Sequence, residues 1–316
     1  MMSVSNSLRI EENVPLAPLT TFKIGGPAKY FTEVKTEAEL LKALELARKN
    51  SWPIFILAGG SNLIVSDNGF DGLVINLELG TSDLELDNGQ LVASASVSME
   101  RLVNESIASG LAGLEWAGGL PGSFGGAVRG NAGCFGAEMK DIVTSVTSIN
   151  IETGDKITRS HDDCQFEYRG SYYKYHPEII VSATVQLQPG DKTELRRIAD
   201  EHIQYRLARQ PLEYPNAGSI FKNIPLELVP KEHLPLFADA IKDDPFPIVP
   251  TAKIIAVAGL KGMRVGDAQL SMKHSNYIVN LGQATSDDVA ELIKQIQLSI
   301  KSSYQIDLEV EPQFVA

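Results

Sequence analysis

Nine of the 26 glycines in this 316-residue chain fall between Gly113 and Gly136, in the run GLEWAGGLPGSFGGAVRGNAGCFG. Glycine reaches positive φ and lets main chain approach a ligand closely, at an entropic cost that helices and strands rarely tolerate. With Pro121 fixing a turn, the run reads as backbone wrapped around something large and flat. A flexible linker would be Gly/Ser-rich and would lack Leu114, Trp116, Phe124, Val128 and Phe135. Neither G-x-G-x-x-G nor G-x-x-x-x-G-K-[ST] occurs, so a nucleotide cofactor bound here would be held by a different fold.

A shorter glycine signal precedes it. Ile54 to Leu57 is an apolar strand that runs into Ala58-Gly59-Gly60-Ser61-Asn62-Leu63, a tight turn with a return strand through Val65. Successive N–H groups in such a turn form an anion nest suited to a diphosphate. Alone, the turn is more simply an ordinary hairpin; its weight comes from the second glycine run.

The elements around these runs are legible. Thr36 and Glu39 form a capping box opening a helix with Leu40, Leu44 and Ala47 on one face. Leu91 to Val97 alternates as a half-buried strand, and Ser98 caps a helix that ends at Ser109 before Gly110. Strands are expected over Ile142–Ile151 and Ile179–Leu187, then a bridging helix from Thr193 to about Arg209, stopped by Pro211. A second body opens at Pro215. Six prolines mark 224–250 as an irregular insertion around one short helix. Regular structure resumes over Ala252–Ala258. Asp287 opens a helix whose Val289, Leu292, Ile293, Ile296 and Ile300 form a core stripe. The chain closes in a strand, Ile306 to Val315, that puts Glu309 and Glu311 on one face.

Composition narrows the chemistry. A net charge of −12 and a pI near 5.0 argue against nucleic acid or an anionic membrane surface as partner. The cysteines, Cys134 and Cys164, make no CxxC pair and no disulfide framework. MMSVSNSLRIEENVPL carries no targeting segment, and no apolar run is long enough to span a bilayer, so a cytoplasmic protein is expected. The five histidines are scattered without HExxH, so no metal is expected; no serine sits in G-x-S-x-G, which excludes a nucleophile elbow. What remains is an organic cofactor held by glycine loops and faced by isolated polar groups: Arg169, Ser219, Lys222 and Glu311. Taken singly, each is more simply a surface cation, a turn residue or a solvated carboxylate.

Taken together, the motifs TTFKIGGPA, LAGGSNLIVSDNGFDGLVI, GLPGSFGGAVRGNAGCFG, FEYRGSYYK, AGSIFKN, AGLKGMRVGDAQLSMKHSNYIVN and LEVEPQFV, in that order over nearly the whole chain, resemble the UDP-N-acetylenolpyruvoylglucosamine reductase family. The resemblance implies an α+β protein: a two-part FAD-binding body of the vanillyl-alcohol-oxidase (PCMH) type at 1–205, with subdomains of about 1–75 and 76–205. A substrate-binding domain at 206–303 would carry the 224–250 insertion, and 304–316 would be a C-terminal strand bearing a catalytic glutamate. It implies NADPH-dependent reduction of UDP-N-acetylglucosamine enolpyruvate to UDP-N-acetylmuramate for peptidoglycan, by a monomeric enzyme. By the same resemblance, Gly59, Gly60, Ser61, Asn62 and Leu63 would cradle the FAD diphosphate. Gly118, Gly119, Pro121, Gly122, Ser123, Gly125, Gly126, Asn131 and Gly133 would line the flavin and its ribityl chain, with Arg206 near the domain junction.

In the family's reaction the reduced flavin N5 delivers hydride to the enol ether's methylene carbon, and charge develops toward the adjacent carboxylate. Arg169, in FEYRGS, matches the arginine that stabilises that enolate, and Glu311, in LEVEP, the glutamate that assists it. Ser219, in AGSIFKN, matches the proton donor, with the cation Lys222 nearby. Arg209, Lys222, Asn223, Lys261, Lys273 and His274 would contact the nucleotide sugar. Two features depart from the family. The family's usual Glu-Val is Glu311-Pro312 here, which leaves Glu309 as an alternative two residues away. No room exists before the bridging helix for the tyrosine-bearing loop that covers substrate in some members, so the means of closing the site is open.

Overall fold

In the computed structural model, residues 8–81 and 83–316 are described; the amino-terminal stretch read above for targeting signals lies partly outside them, at 1–7. The chain begins with β1 (Glu11–Pro15) and β2 (Pro27–Val34), an antiparallel pair. The helix α1 (Glu37–Asn50) follows, and Thr36 and Glu39 make the expected reciprocal cap. Its buried Leu40, Ala43, Leu44 and Ala47 carry the chain across the sheet so that β3 (Ile54–Leu57) lies parallel to a later strand. Full burial of each leucine contributes about 1.5–3 kcal/mol.

The return strand after the first glycine turn, β4 (Leu63–Val65), does not fold back on β3. It pairs in parallel with the last strand of the chain, Gln313–Val315, so the turn is not a hairpin. The sheet instead continues into β5 (Phe70–Leu77), parallel to both β2 and β3. The five residues 58–62 lead the chain out of the sheet to its pairing with the terminal strand and toward the glycine-rich run.

The second sheet is antiparallel throughout. It contains β6 (Leu84–Asp87), β7 (Gln90–Ser94), β8 (Val143–Asn150), β9 (Lys156–Ser160) and β10 (Glu178–Gln186), in the spatial order β9-β8-β10-β7-β6. The helix α2 (Met99–Ala108), capped by Ser98 as expected, packs Leu102 and Ile107 on a core with Leu91, Trp116, Phe124 and Val146. The organising run is less irregular than its glycine content suggests, because Ser123 caps the short helix α3 (Phe124–Arg129) inside it. Gly125 is required there by packing: a Cβ would sit 2.6 Å from that of Ala95.

The helix α4 (Lys192–Arg209), capped by Asp191, follows β10 directly through Leu187–Asp191, which leaves no span for an additional loop. A four-stranded antiparallel sheet then forms from Asn216–Ser219, Tyr277–Asn280, Ala268–Leu270 and Arg264–Val265, in that spatial order. Thr251–Val257 and the capped helix Ser286–Tyr304 cover it, with Val289, Leu292, Ile293, Ile296 and Ile300 all buried as the spacing requires. Phe22, Ile24 and Ile64 join this core from the N-terminal region.

Two expectations fail locally. The insertion at 224–250 holds no α-helix but three 3-10 turns, Leu226–Leu228, Leu234–Leu236 and Ala238–Ala240, because its prolines remove donors too often for a second helical turn. The closing segment is not one strand from Ile306. Only Gln313–Val315 is regular, and Pro312 interrupts the ladder after a single bridge from Val310 to Phe221.

Candidate active site

The two glycine signals meet in space. A Cβ on Gly59 would lie 2.6 Å from Gly122 Cα and 2.9 Å from Ser123 N, and one on Gly122 would lie 2.8 Å from Ser61 Oγ. Ala58, Gly59, Ser96, Ser98, Gly122 and Ser123, with Leu77 and Glu78 beside them, line a cleft of about 190 Å³. Among the described residues, the main-chain N–H groups of Gly59, Gly60, Ser61 and Asn62 donate to no acceptor within the chain. Four adjacent free donors beside a cleft are the chemistry of an anion site, and they fit a diphosphate. Leu63 follows at the head of β4, where Gln313 N bonds Asn62 O.

The other glycines divide by what they face. Gly119 adopts φ +74°, and Gly126, at an exposed position on α3, has only Ser123 Oγ within reach of an added Cβ, at 3.3 Å. Gly126 leaves space for a ligand, whereas a Cβ on Gly119 would meet Arg206 Cδ at 3.1 Å and Ile203 Cγ1 at 3.3 Å. Gly118 instead packs on the backbone of Ala199, and a Cβ there would be 2.4 Å from its carbonyl oxygen. The N–H of Gly125 is taken by Ala95 O. Asn131 is wholly buried, donating to Glu167 O and accepting from Lys140 N, so its amide serves the loop. Pro121 is exposed beside the cleft. Arg206 reaches from α4 into the run, donating to Gly118 O at 2.9 Å with Cys134 Sγ also at 2.9 Å. Burial pushes the Cys134 thiol pKa up, against the pull of Arg206, so it is not a ready nucleophile.

The three residues expected to do chemistry converge on one point from distant parts of the chain. Arg169 sits at φ +59° in a tight turn closed by reciprocal Glu167–Gly170 bonds, and Lys174 Nζ donates to its carbonyl at 2.8 Å. Its Nε lies 3.0 Å from Glu311 Oε1. The segment 220–222 runs antiparallel to 309–311: Glu311 N donates to Ile220 O and Lys222 N to Glu309 O. That pairing sets Ile220, the residue after Ser219, against Glu311, while Ser219 itself faces Tyr277, a phenol that also feels the Glu311 charge. The pairing also separates the two glutamates, since Glu309 is exposed and paired with Lys222 Nζ at 2.5 Å.

Burial raises the Glu311 pKa, and Arg169, Lys174 and Lys222 oppose the rise. Burial would lower the Arg169 pKa, but Glu311, Tyr168 and Glu138 outweigh it and the guanidinium stays charged. Burial lowers the Lys174 pKa, and so does Lys222. Ser219 lies across the sheet from Tyr277, whose phenol pKa is held up to about 12 by burial, with Arg206 and Ser219 drawing it down.

The expected substrate contacts are mixed. His274 is pushed down to about 4 by burial and by Lys261 and Lys242, so it is neutral, and its Nδ1 accepts from Asn276 N at 3.3 Å. The proton therefore resides on Nε2, which is left as a donor. Lys261 is exposed next to it. Asn223 Oδ1 is occupied in accepting from Thr251 N, and Lys273 Nζ is tied to Leu207 O and to Glu213. Arg209 is exposed over the Tyr205 ring. The insertion reaches across: Phe246 packs edge-on against Tyr168 at 5.1 Å, and Asp244 lies near Gly136. It thus touches the residue next to Arg169 and the end of the glycine-rich run. Sequence reasoning did not find Glu138, Lys174 or Tyr277. Tyr277 emerges only from strand register, whereas Lys174, one helical turn beyond Arg169 in FEYRGSYYK, carried a signal that could have been used.

Among the described residues, no group of three or more His, Cys, Asp or Glu could hold a metal ion, and no helix is long and apolar enough to cross a membrane. Comparison with known proteins adds an independent line. Residues 28–159 match the FAD binding domain family, and residues 210–315 match the C-terminal domain of UDP-N-acetylenolpyruvoylglucosamine reductase. The UDP-N-acetylenolpyruvoylglucosamine reductase of Lactobacillus johnsonii is 37% identical over 307 residues, which is 97% of this chain and 94% of that one. That of Carboxydothermus hydrogenoformans is 38% identical over 302 residues, 95% of this chain and 92% of that one. The crystal structure of UDP-N-acetylenolpyruvylglucosamine reductase from Thermus caldophilus superposes with a TM-score of 0.78 at 32% identity, covering 98% of this chain and 100% of that one.

Proposed function

Since the chain belongs to the UDP-N-acetylenolpyruvoylglucosamine reductase family, we propose that it uses FAD and NADPH to reduce UDP-N-acetylglucosamine enolpyruvate to UDP-N-acetylmuramate for peptidoglycan. NADPH and a proton are consumed, the enol ether's double bond becomes a single bond, and NADP+ leaves. The observation that carries the assignment is the convergence of Arg169, Glu311 and Ser219, with Arg169 and Glu311 3.0 Å apart.

FAD would lie with its diphosphate on the free N–H groups of Gly59 to Asn62 and its flavin along Gly119, Gly122 and Gly126; when bound it relays two electrons from NADPH to the sugar. The protein's own groups do the rest. Arg169 sets a fixed positive charge against the substrate carboxylate as that group takes up charge. Glu311, with its pKa raised by burial, holds a proton more readily than an exposed glutamate and can lend it to the same carboxylate as charge develops there, taking it back when the neighbouring carbon is protonated. Ser219 gives its proton to the carbon bearing the carboxylate, and Tyr277 faces it across the sheet. His274 Nε2–H and Lys261 would hold the nucleotide. On this reading the FAD body, the substrate domain and the terminal segment divide near 205 and 304, and the enzyme works as a cytoplasmic monomer.

Ser219→Ala tests the assignment. NADPH should still bleach the variant at the wild-type rate, while reoxidation by the enolpyruvyl sugar is lost. Reoxidation at the wild-type rate would remove the serine from the mechanism.

A further inference from the structure

Glu138 is a buried carboxylate with no part in the reaction described so far. Its side chain is 4% exposed, and neither oxygen has a hydrogen-bond donor in good geometry. It is met instead by two cations, Lys140 Nζ at 2.5 Å and Arg169 Nη1 at 3.9 Å. A carboxylate out of water and without aligned donors costs several kcal/mol, roughly, unless charge compensates it. The surrounding backbone is built to admit it. Gly133 and Glu138 face each other across a two-residue antiparallel pair, and a Cβ on Gly133 would sit 2.5 Å from Glu138 Cγ.

We infer that Glu138 is a positioning residue for the reduction, a permanent counter-charge that keeps the Arg169 guanidinium aimed at the substrate carboxylate while Glu311 turns to the same group. The inference rests on the function proposed above. Each guanidinium nitrogen has its own partner: Nε meets Glu311, Nη1 meets Glu138 and Nη2 donates to Gly133 O at 3.0 Å. When a substrate acid enters, Glu311 must release Arg169, because both now address the newcomer. Glu138 and the Gly133 carbonyl are paired across a short hairpin in which the Glu138 side chain is buried, and they stay in place. Glu311 is already the nearer carboxylate, at 3.0 Å against 3.9 Å, so without the opposing pull of Glu138 the guanidinium and Glu311 would hold each other in place of the substrate.

The same removal acts on the Glu311 proton. Arg169, Lys174 and Lys222 are the cations facing Glu311, and Tyr168 and Tyr277 lie beside them. Glu138 is faced by Lys140 and Arg169. Deleting the Glu138 charge leaves this cluster more positive, so Glu311 ionises at lower pH.

The experiment uses oxidised holoenzyme, wild type and Glu138→Gln. Calorimetric titration with the enolpyruvyl sugar, in two buffers of different ionisation enthalpy, measures proton uptake on binding; NADPH bleaching and reoxidation by the sugar are followed separately. Glu138→Gln should bleach normally, be reoxidised about tenfold more slowly from misplacement of the guanidinium, and show its maximal proton uptake at lower pH. Glu138→Asp, which keeps the charge one methylene further back, should recover part of both. Wild-type reoxidation and an unmoved uptake profile in Glu138→Gln would overturn the inference. So would loss of fold in both variants, which would make Glu138 a structural residue only. If the wild type itself is not reoxidised by the sugar, the functional proposal fails instead.

Discussion

Gly59→Ala isolates the glycine cradle from the chemistry. Gly59 has no positive φ, so alanine introduces no backbone strain; the consequence is steric. The new methyl would fall 2.6 Å from Gly122 Cα and 2.9 Å from Ser123 N. Carbon atoms rest about 3.5–4.0 Å apart, so the turn and the glycine run must separate by roughly 1 Å. Both contacts are main chain, and no side chain can rotate aside. Overpacking of this kind costs about 1–3 kcal/mol. The apoprotein can relax by letting the exposed Gly59 turn swing outward, whereas a diphosphate bound to both loops would hold them together. The cost therefore falls on FAD binding, a loss of about 5- to 150-fold at about 1.4 kcal/mol per tenfold. Flavin-fluorescence quenching, on titrating apoprotein with FAD, measures it, with thermal melting of the apoprotein as a control. FAD affinity in Gly59→Ala equal to wild type, with an unchanged melt, would refute the placement of the two loops around the cofactor.

Arg169→Ala should retain FAD and bleach with NADPH, but be reoxidised by the sugar about 100- to 1,000-fold more slowly, the usual effect of removing a donor aimed at developing negative charge. Stopped-flow reoxidation measures this; a colourless, unfolded variant would make Arg169 structural. Glu311→Gln carries a pH test. A carboxyl whose pKa is raised on folding keeps its proton in the native state while the unfolded chain loses it, so stability falls as pH rises through that window, above about 4.3. The melting temperature of Glu311→Gln relative to wild type should therefore increase from pH 4 to pH 8. A decrease would mean that the ion pair with Arg169 outweighs burial.

Legibility in the sequence followed the range of the interactions. The caps at Thr36 and Ser98, the strands β7, β8 and β10, and the stripe from Val289 to Ile300 were readable because each is decided within a turn or two of chain. The partner of Leu63–Val65 was not, because it lies at the other end of the chain. The glycines were recognisable as a group but not in their individual reasons. Gly59 is a glycine for Gly122, Gly122 for Ser61 and its own positive φ, Gly118 for Ala199, Gly125 for Ala95 and Gly133 for Glu138. The isolated candidates Arg169, Ser219 and Glu311 had no local signal strong enough to distinguish them from surface charge or turn residues. Their grouping came from family motifs, and the strand register of 220–222 against 309–311 supplies its physical cause. Lys273 and Asn223, expected to face substrate, are held by Leu207 O and Thr251 N, partners that motif position does not reveal.

The central claim is that one flavin relays electrons from NADPH to an enolpyruvyl nucleotide sugar. An anaerobic visible spectrum of the holoprotein tests it directly, with NADPH and then UDP-N-acetylglucosamine enolpyruvate added in turn. The account predicts that the yellow absorbance bleaches with NADPH and returns in full with the sugar. A protein that bleaches and stays bleached would contradict the assigned acceptor, and one that binds no FAD would contradict the cradle itself.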